Sequence, residues 1–213
     1  MTDVAYRTRP EAAHDASRTL AGGVKRAMDV TIALVVLLPL ALVAALVLSI
    51  LNAALDPGPL LFVQKRMGRN GTAIKVVKFR SMTVDPRPGR DVDDPLETTR
   101  ITRVGRFIRR TRIDELPQAL NVLRGDMSVV GPRPDYLPHA LHYARTIPGY
   151  RARHAVRPGI TGLAQVRVGY AEGSAATRLK VAADLEYVQR WGVATDLGIL
   201  VRTVGVVLRG GGA

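Results

Sequence analysis

The chain contains no cysteine, so disulfides and thiolate metal sites are excluded. That absence fits a reducing compartment. Aromatic residues make up only 5%, with a single Trp, which is thin for a protein that stacks on single-stranded bases. Nucleic acid is therefore not expected as the partner. Acidic side chains are in the minority: 18 Asp and Glu stand against 31 Lys and Arg, a formal charge of +13 on 213 residues. Such an excess favours anionic partners, such as phosphorylated substrates or acidic lipid headgroups. The length suits one domain with a modest core, or one domain plus a membrane anchor. No internal repeat is present.

One long stretch lacks charge entirely. From Val30 to Leu55 no residue is ionisable, and fifteen of the 22 residues in Val30–Leu51 are Leu, Ile or Val. On an insertion scale these residues sum to about −5 to −9 kcal/mol at the bilayer centre. A buried helix in a soluble domain of this size needs a polar face, and this segment has none, so a membrane segment is expected. It is longer than the apolar core of a signal peptide, and 29 residues precede it. Basic residues flank both ends: Lys25 and Arg26 before, Lys65, Arg66 and Arg69 after. Positive charge on both sides suits a segment that enters and leaves by one face. Pro39 removes a backbone donor and marks the expected break. A spanning helix with a Pro kink fits these features equally.

The rest reads as a small mixed domain. Residues 1–24 are polar and aperiodic, as a mobile arm is. Leu60–Lys65 and Ile74–Phe79 predict two strands, joined through Gly68-Arg69-Asn70-Gly71, where Asn-Gly tolerates positive φ. Residues 85–99 are rich in Pro, Asp and Gly and predict a loop. Thr102–Arg112 is helix-compatible and carries most of a run of six arginines between Arg100 and Arg112. Asp114–Arg124 predicts a short helix with Asp114 as N-cap and Gly125 at its C-terminal end. Gly131-Pro132-Arg133-Pro134 and Arg157-Pro158-Gly159 predict rigid turns. Thr177–Trp191 predicts an amphipathic helix with Leu179 on its apolar side. Asp196–Leu208 predicts a short apolar helix able to lie in the membrane interface.

The chemistry concentrates at Asp114-Glu115, between the arginine run and the short helix. A helix N-terminus attracts phosphate, and a carboxylate there stays ionised. An ionised Asp can attack phosphorus and form an acyl phosphate. Cations must first neutralise the donor, and Arg109 is placed to fork onto phosphate oxygens. Mg2+ could be held by Glu115 or Asp114, with phosphate and water completing its shell. An Asp-Glu pair at a helix start is most often only a cap. A glycosidase pair would need carboxylates facing each other across a sugar, which neighbours in sequence rarely do.

Several stretches together resemble the bacterial sugar transferases, the monotopic polyprenyl-phosphate phosphoglycosyl transferases. They are Lys25-Arg26-Ala27-Met28-Asp29, Pro57-Gly58-Pro59, Lys78-Phe79-Arg80-Ser81-Met82, Asp114-Glu115-Leu116-Pro117-Gln118, Gly125-Asp126-Met127-Ser128, Val130-Gly131-Pro132-Arg133-Pro134 and Pro158-Gly159-Ile160-Thr161-Gly162. The resemblance runs from about Lys25 to Leu208. It implies a mostly helical α+β fold: a re-entrant helix hairpin at 25–56, broken at Pro39, and a catalytic domain at 57–213 with amphipathic interfacial helices. That domain is implied to lie on the cytoplasmic face of the bacterial inner membrane. The implied reaction moves sugar-1-phosphate from a UDP-sugar to polyprenyl phosphate, through a covalent phosphosugar on Asp114, with release of UMP. Glu115 resembles the Mg2+ partner. Arg109 resembles a phosphate-binding arginine, and Lys78, Arg80 and Arg133 match basic positions of the same pocket. Three departures stand out: Ile113 where Leu is common, Gly169-Tyr170 where Gly-Arg is common, and Leu38 before Pro39 where some members carry Ser. The competing reading is a basic, membrane-anchored binding or scaffold protein without catalysis.

Overall fold

The computed structural model describes residues 12–84, 94, 97–169 and 173–209. Most of the loop expected at 85–99, the first eleven residues and Tyr170 lie outside that set. Helix α1 covers Ala12–Ile32, so the second half of the expected arm is helical. A π-helical turn, Ala33–Leu37, joins it to α2, Leu38–Leu55. Pro39 sits in the first turn of α2, where its missing N–H is tolerated. The chain keeps right-handed helical dihedrals at Ile32, Leu37 and Leu38. Pro39 therefore produces a π-helical turn and no reversing loop, because wider hydrogen bonding absorbs the lost donor. From Leu20 to Leu55 the helix is long and apolar enough to cross a membrane.

That helix does not leave the domain. Near its start, Arg26 donates to the carbonyls of Val122 (2.6 Å) and Leu123 (3.0 Å). Asp29 accepts from the Val129 amide at 3.0 Å and from the Ser128 hydroxyl at 2.8 Å. Lys25 reaches Asp196 at 2.5 Å. In the π-helical turn Ala33 is fully buried, in one cluster with Val76, Ala119, Val122 and Tyr187. Further on, Leu48 packs with Phe79 and Ile108. Just beyond α2, Asp56 pairs with Arg80 at 2.8 Å.

Strands β1 (Leu61–Met67) and β2 (Ala73–Phe79) form the expected hairpin, antiparallel from Leu61↔Phe79 to Met67↔Ala73. Asn70 (φ 55°) and Gly71 (φ 77°) both take positive φ in its turn. Helix α3, Arg103–Arg110, is capped by Thr102, whose hydroxyl accepts from the Gly105 amide at 2.9 Å. A 3-10 turn, Ile113–Gln118, precedes α4, Ala119–Arg124, which ends at Gly125 with φ 89°. Asp114 is thus not the N-cap of an α-helix. Arg112 takes the cap position and Asp114 is the second residue of the 3-10 turn. Pro117 has no amide to donate, and the regular helix starts only beyond it.

Strands β3 (Ser128–Val130) and β4 (Gly159–Thr161) form a short parallel pair. A Cβ at Gly159 would lie 2.1 Å from the Gly131 amide nitrogen, and one at Gly162 would lie 2.2 Å from the Gly131 carbonyl oxygen. Glycine is therefore required for these two rigid turns to meet. Helix α5 (Leu137–Thr146), a 3-10 turn (Tyr150–Ala155) and α6 (Leu163–Arg167) complete the middle of the domain. Two helices close it, α7 (Gly173–Gln189) and α8 (Val193–Leu208). On α7, Val181, Ala183 and Tyr187 face inward, but Leu179, expected on the apolar side, is 62% exposed, and Ala182 is exposed as well. The protein is a mostly helical α+β fold with two small two-stranded sheets.

Candidate active site

Three elements bring the charges together. The 3-10 turn carries Asp114 and Glu115, β2 carries Lys78, and the loop after β3 carries Arg133. Asn121 of α4 sets the spacing between β2 and the turn: its Oδ1 accepts from the Val77 amide (3.1 Å), and its Nδ2 donates to the Lys75 carbonyl (2.7 Å). Fully buried, it satisfies the open edge of the strand and fixes Lys78 opposite Glu115.

Glu115 is 4% exposed, and one of its oxygens collects three cations. Lys78 Nζ donates to Oε1 at 3.0 Å, Arg133 Nη2 donates to the same atom, and Arg112 Nη1 stands 3.7 Å away. Burial alone would raise the Glu115 carboxyl. Arg133 and Lys78 outweigh it and hold Glu115 well below the usual carboxylate range. Burial pushes Lys78 the other way, down to about 8 against the attraction of Glu115. Asp114 is 8% exposed. Burial, reinforced by the adjacent Glu115 charge, raises its carboxyl above the ordinary Asp range, against Lys78, Arg133 and Arg109. The pair is thus split: one carboxylate tied up by cations, the other more basic, with positive charge nearby.

The Arg133 loop is itself clamped. Arg153, 4% exposed, donates to the Arg133 carbonyl at 2.9 Å and pairs with Asp135 and with Asp184 of α7. Tyr150 donates to Asp135 at 2.6 Å, and Arg66 holds the Pro134 carbonyl at 2.7 Å.

Five of the six charged residues expected from sequence converge: Asp114, Glu115, Lys78 and Arg133 directly, and Arg109 as a charge felt by Asp114. Arg80 does not join them. Its guanidinium bonds Asp56 and the Pro59 carbonyl, locking the turn that ends the apolar helix. Sequence reasoning missed Arg112 as an individual, though it lies in the arginine run. It also missed Arg153, Asp135 and Asp184, which no local pattern marks.

Beside the pair an apolar groove of about 560 Å3 runs between α2, α3, α6 and α8. Leu40, Val47, Phe107, Ile108, Val166 and Val207 are among its lining, and its charged lining residues are Arg112 and Glu115.

A buried carboxylate pair thus lies among convergent cations, and Glu115 opens onto an apolar groove, an arrangement suited to phosphate chemistry. The chain belongs to the bacterial sugar transferase family, whose model matches residues 20–210. Among its relatives, a UDP-glucose:undecaprenyl-phosphate glucose-1-phosphate transferase from Caulobacter vibrioides is 46% identical over 186 residues, covering 84% of this chain and 68% of the relative. A UDP-N-acetylgalactosamine-undecaprenyl-phosphate N-acetylgalactosaminephosphotransferase from Aeromonas hydrophila is 40% identical over 190 residues, covering 89% of this chain and 45% of the relative. The exopolysaccharide production protein PSS from Rhizobium leguminosarum bv. phaseoli is 45% identical over 192 residues, covering 84% and 92%. The chain thus spans less than half of the Aeromonas protein and nearly all of the Rhizobium one.

Proposed function

We propose that this protein transfers sugar-1-phosphate from a UDP-sugar to undecaprenyl phosphate. The observation that carries the reading is the split carboxylate pair: Asp114 kept basic by burial, Glu115 held by Lys78, Arg112 and Arg133. The relatives' names give the donor and acceptor classes.

In the first step a carboxylate oxygen of Asp114 attacks the β-phosphorus. The bond from that phosphorus to the bridging oxygen breaks, and its electron pair leaves with UMP. A phosphosugar remains on Asp114. Lys78, Arg133 and Arg109 offset the repulsion between carboxylate and diphosphate, and bind the phosphate oxygens in a buried setting where such contacts are strong. A phosphate oxygen of the acceptor then attacks the same phosphorus, and the bond to Asp114 breaks to restore the carboxylate.

Mg2+ belongs to the same reading. Among the described residues no group of three or more His, Cys, Asp and Glu forms a metal cage. Asp114 and Glu115 supply the one or two hard carboxylates that Mg2+ takes when substrate phosphate and water fill its shell. When bound, the ion would neutralise charge on the diphosphate. Lys78 and Arg133, now on Glu115, would turn to phosphate oxygens of the donor.

The membrane reading is supported by exposed apolar side chains on α2 (Leu40, Leu42, Val43, Leu46, Ile50), on α8 (Leu197, Val201, Val204, Leu208) and at Phe107. Entry and exit by one face is the reading that fits both ends of the apolar helix, Arg26 and Asp56, being bonded to one small domain, with the π-helical turn before Pro39 as the place for a bend. We place the catalytic domain on the cytoplasmic face of the inner membrane, where the flanking basic residues favour it.

The test is intact-mass detection of the adduct after mixing with UDP-sugars. The unaltered protein gains one phosphosugar and releases UMP, and excess chelator stops both. Asp114→Asn gains nothing. An adduct on that variant would remove Asp114 as nucleophile, and turnover in chelator would remove the metal.

A further inference from the structure

Arg112 stands out on two independent grounds. Its φ is 62°, and the one other positive-φ residue besides glycine among the described residues is Asn70, in a hairpin turn that asks for it. A long side chain in the left-handed region is strained, and such strain clusters at functional sites. The strained backbone also turns Arg112 toward the groove. Its guanidinium lies 3.7 Å from Glu115 Oε1, where the groove meets that carboxylate.

The charged side chains lining the groove are Arg112 and Glu115; Thr111, Thr161, Gln165 and Thr203 are polar and the rest of the lining is apolar. The groove's α2 and α8 walls continue into the exposed apolar faces of those helices. A ligand matching that lining has a long hydrocarbon chain ending in an anion. Lys78 and Arg133 approach Glu115 from β2 and from the loop after β3, whereas Arg112 reaches it from the groove.

We propose that Arg112 binds the terminal phosphate of the isoprenyl acceptor, whose first isoprene units lie in the groove, and that it serves the second half-reaction. The proposal rests on the transferase reading above. Arg112 draws one acceptor phosphate oxygen toward the phosphorus held on Asp114. That oxygen forms the new P–O bond as the bond to Asp114 breaks and its electron pair returns to the carboxylate. No proton transfer is needed when the acceptor phosphate is ionised.

The experiment separates the two half-reactions, using the full chain in lipid nanodiscs. With a UDP-sugar alone, Arg112→Gln still gives a UMP burst and the covalent adduct, since Lys78 and Arg133 keep their hold on Glu115. With undecaprenyl phosphate added, its KM for that acceptor rises roughly tenfold or more, as for loss of one charge-assisted hydrogen bond. Arg112→Lys recovers part of the loss. Arg112→Gly guards against misfolding, because glycine relieves the positive φ: its melting temperature holds or rises while the acceptor KM rises as in Arg112→Gln. Val206→Trp, which narrows the groove, raises the acceptor KM without lowering the burst amplitude. An unchanged acceptor KM in Arg112→Gln overturns the proposal, including the case where only retention on phosphatidylglycerol vesicles falls. A burst lost in step with acceptor use also overturns it. Absence of any adduct on the unaltered protein overturns the transferase reading itself.

Discussion

Lys78 and Glu115 face each other at 3.0 Å inside the domain, and Asp114 sits beside them with a raised carboxyl. The signs give a pH profile. In the proposed reaction Asp114 attacks as the carboxylate, so activity is expected to fall as pH drops through a value above the ordinary Asp range of about 3.9. Lys78, lowered to about 8, loses its charge above that pH and with it a phosphate contact. For a UDP-sugar, kcat/KM is therefore expected to be bell-shaped, its alkaline limb near pH 8. In Lys78→Arg, where the guanidinium stays charged, that limb moves up by a unit or more. A limb that stays in place would assign it to another group. Residue types and order pointed to Asp114, Glu115 and Arg109, because phosphate chemistry needs acids beside cations; Lys78, Arg80 and Arg133 came from the family resemblance. The structure brings Lys78 and Arg133 onto Glu115 but not Arg80, whose guanidinium is taken by the turn at Asp56–Pro59.

Between elements, long-range polar clamps do what hydrophobic periodicity cannot. The β-hairpin was readable from alternation and Asn-Gly, since both are local. The π-helical turn before Pro39 and the 3-10 turn at Asp114 were not, since both depend on how the backbone relaxes around a missing amide. The Arg153 clamp joins the Arg133 loop to the 3-10 turn at Tyr150–Ala155 and to α7. Arg153→Leu would leave Asp184 and Asp135 without their shared cation. The expected loss is about 3–5 kcal/mol of stability, as for breaking a buried ion pair from one side. Denaturant melting of the detergent-extracted protein measures it, and a change under 1 kcal/mol would show that the two carboxylates find other partners.

For the molecule as a whole, the question is on which side of a bilayer its parts lie. Absence of native cysteine makes the test clean. Single cysteines introduced at residues 10 and 90 are expected to react with an impermeant maleimide from the same side of sealed vesicles. Labelling from opposite sides would mean a spanning helix. The bonds of Arg26 to α4 and of Asp56 to Arg80 hold both ends of the apolar helix on one domain, which is the arrangement the first outcome requires.

The sequence by itself determined the long apolar helix, the hairpin, the short strongly patterned helices and the acidic pair among basic residues. Those follow from composition, periodicity and adjacency, which are written along the chain. Only the tertiary structure decided which cations reach Glu115, that Arg80 turns away, that Arg112 heads an apolar groove, and that Gly131, Gly159 and Gly162 are there for contact. These depend on groups tens of residues apart meeting within a few ångströms, and their partners are chosen by packing and by the need to satisfy buried charge.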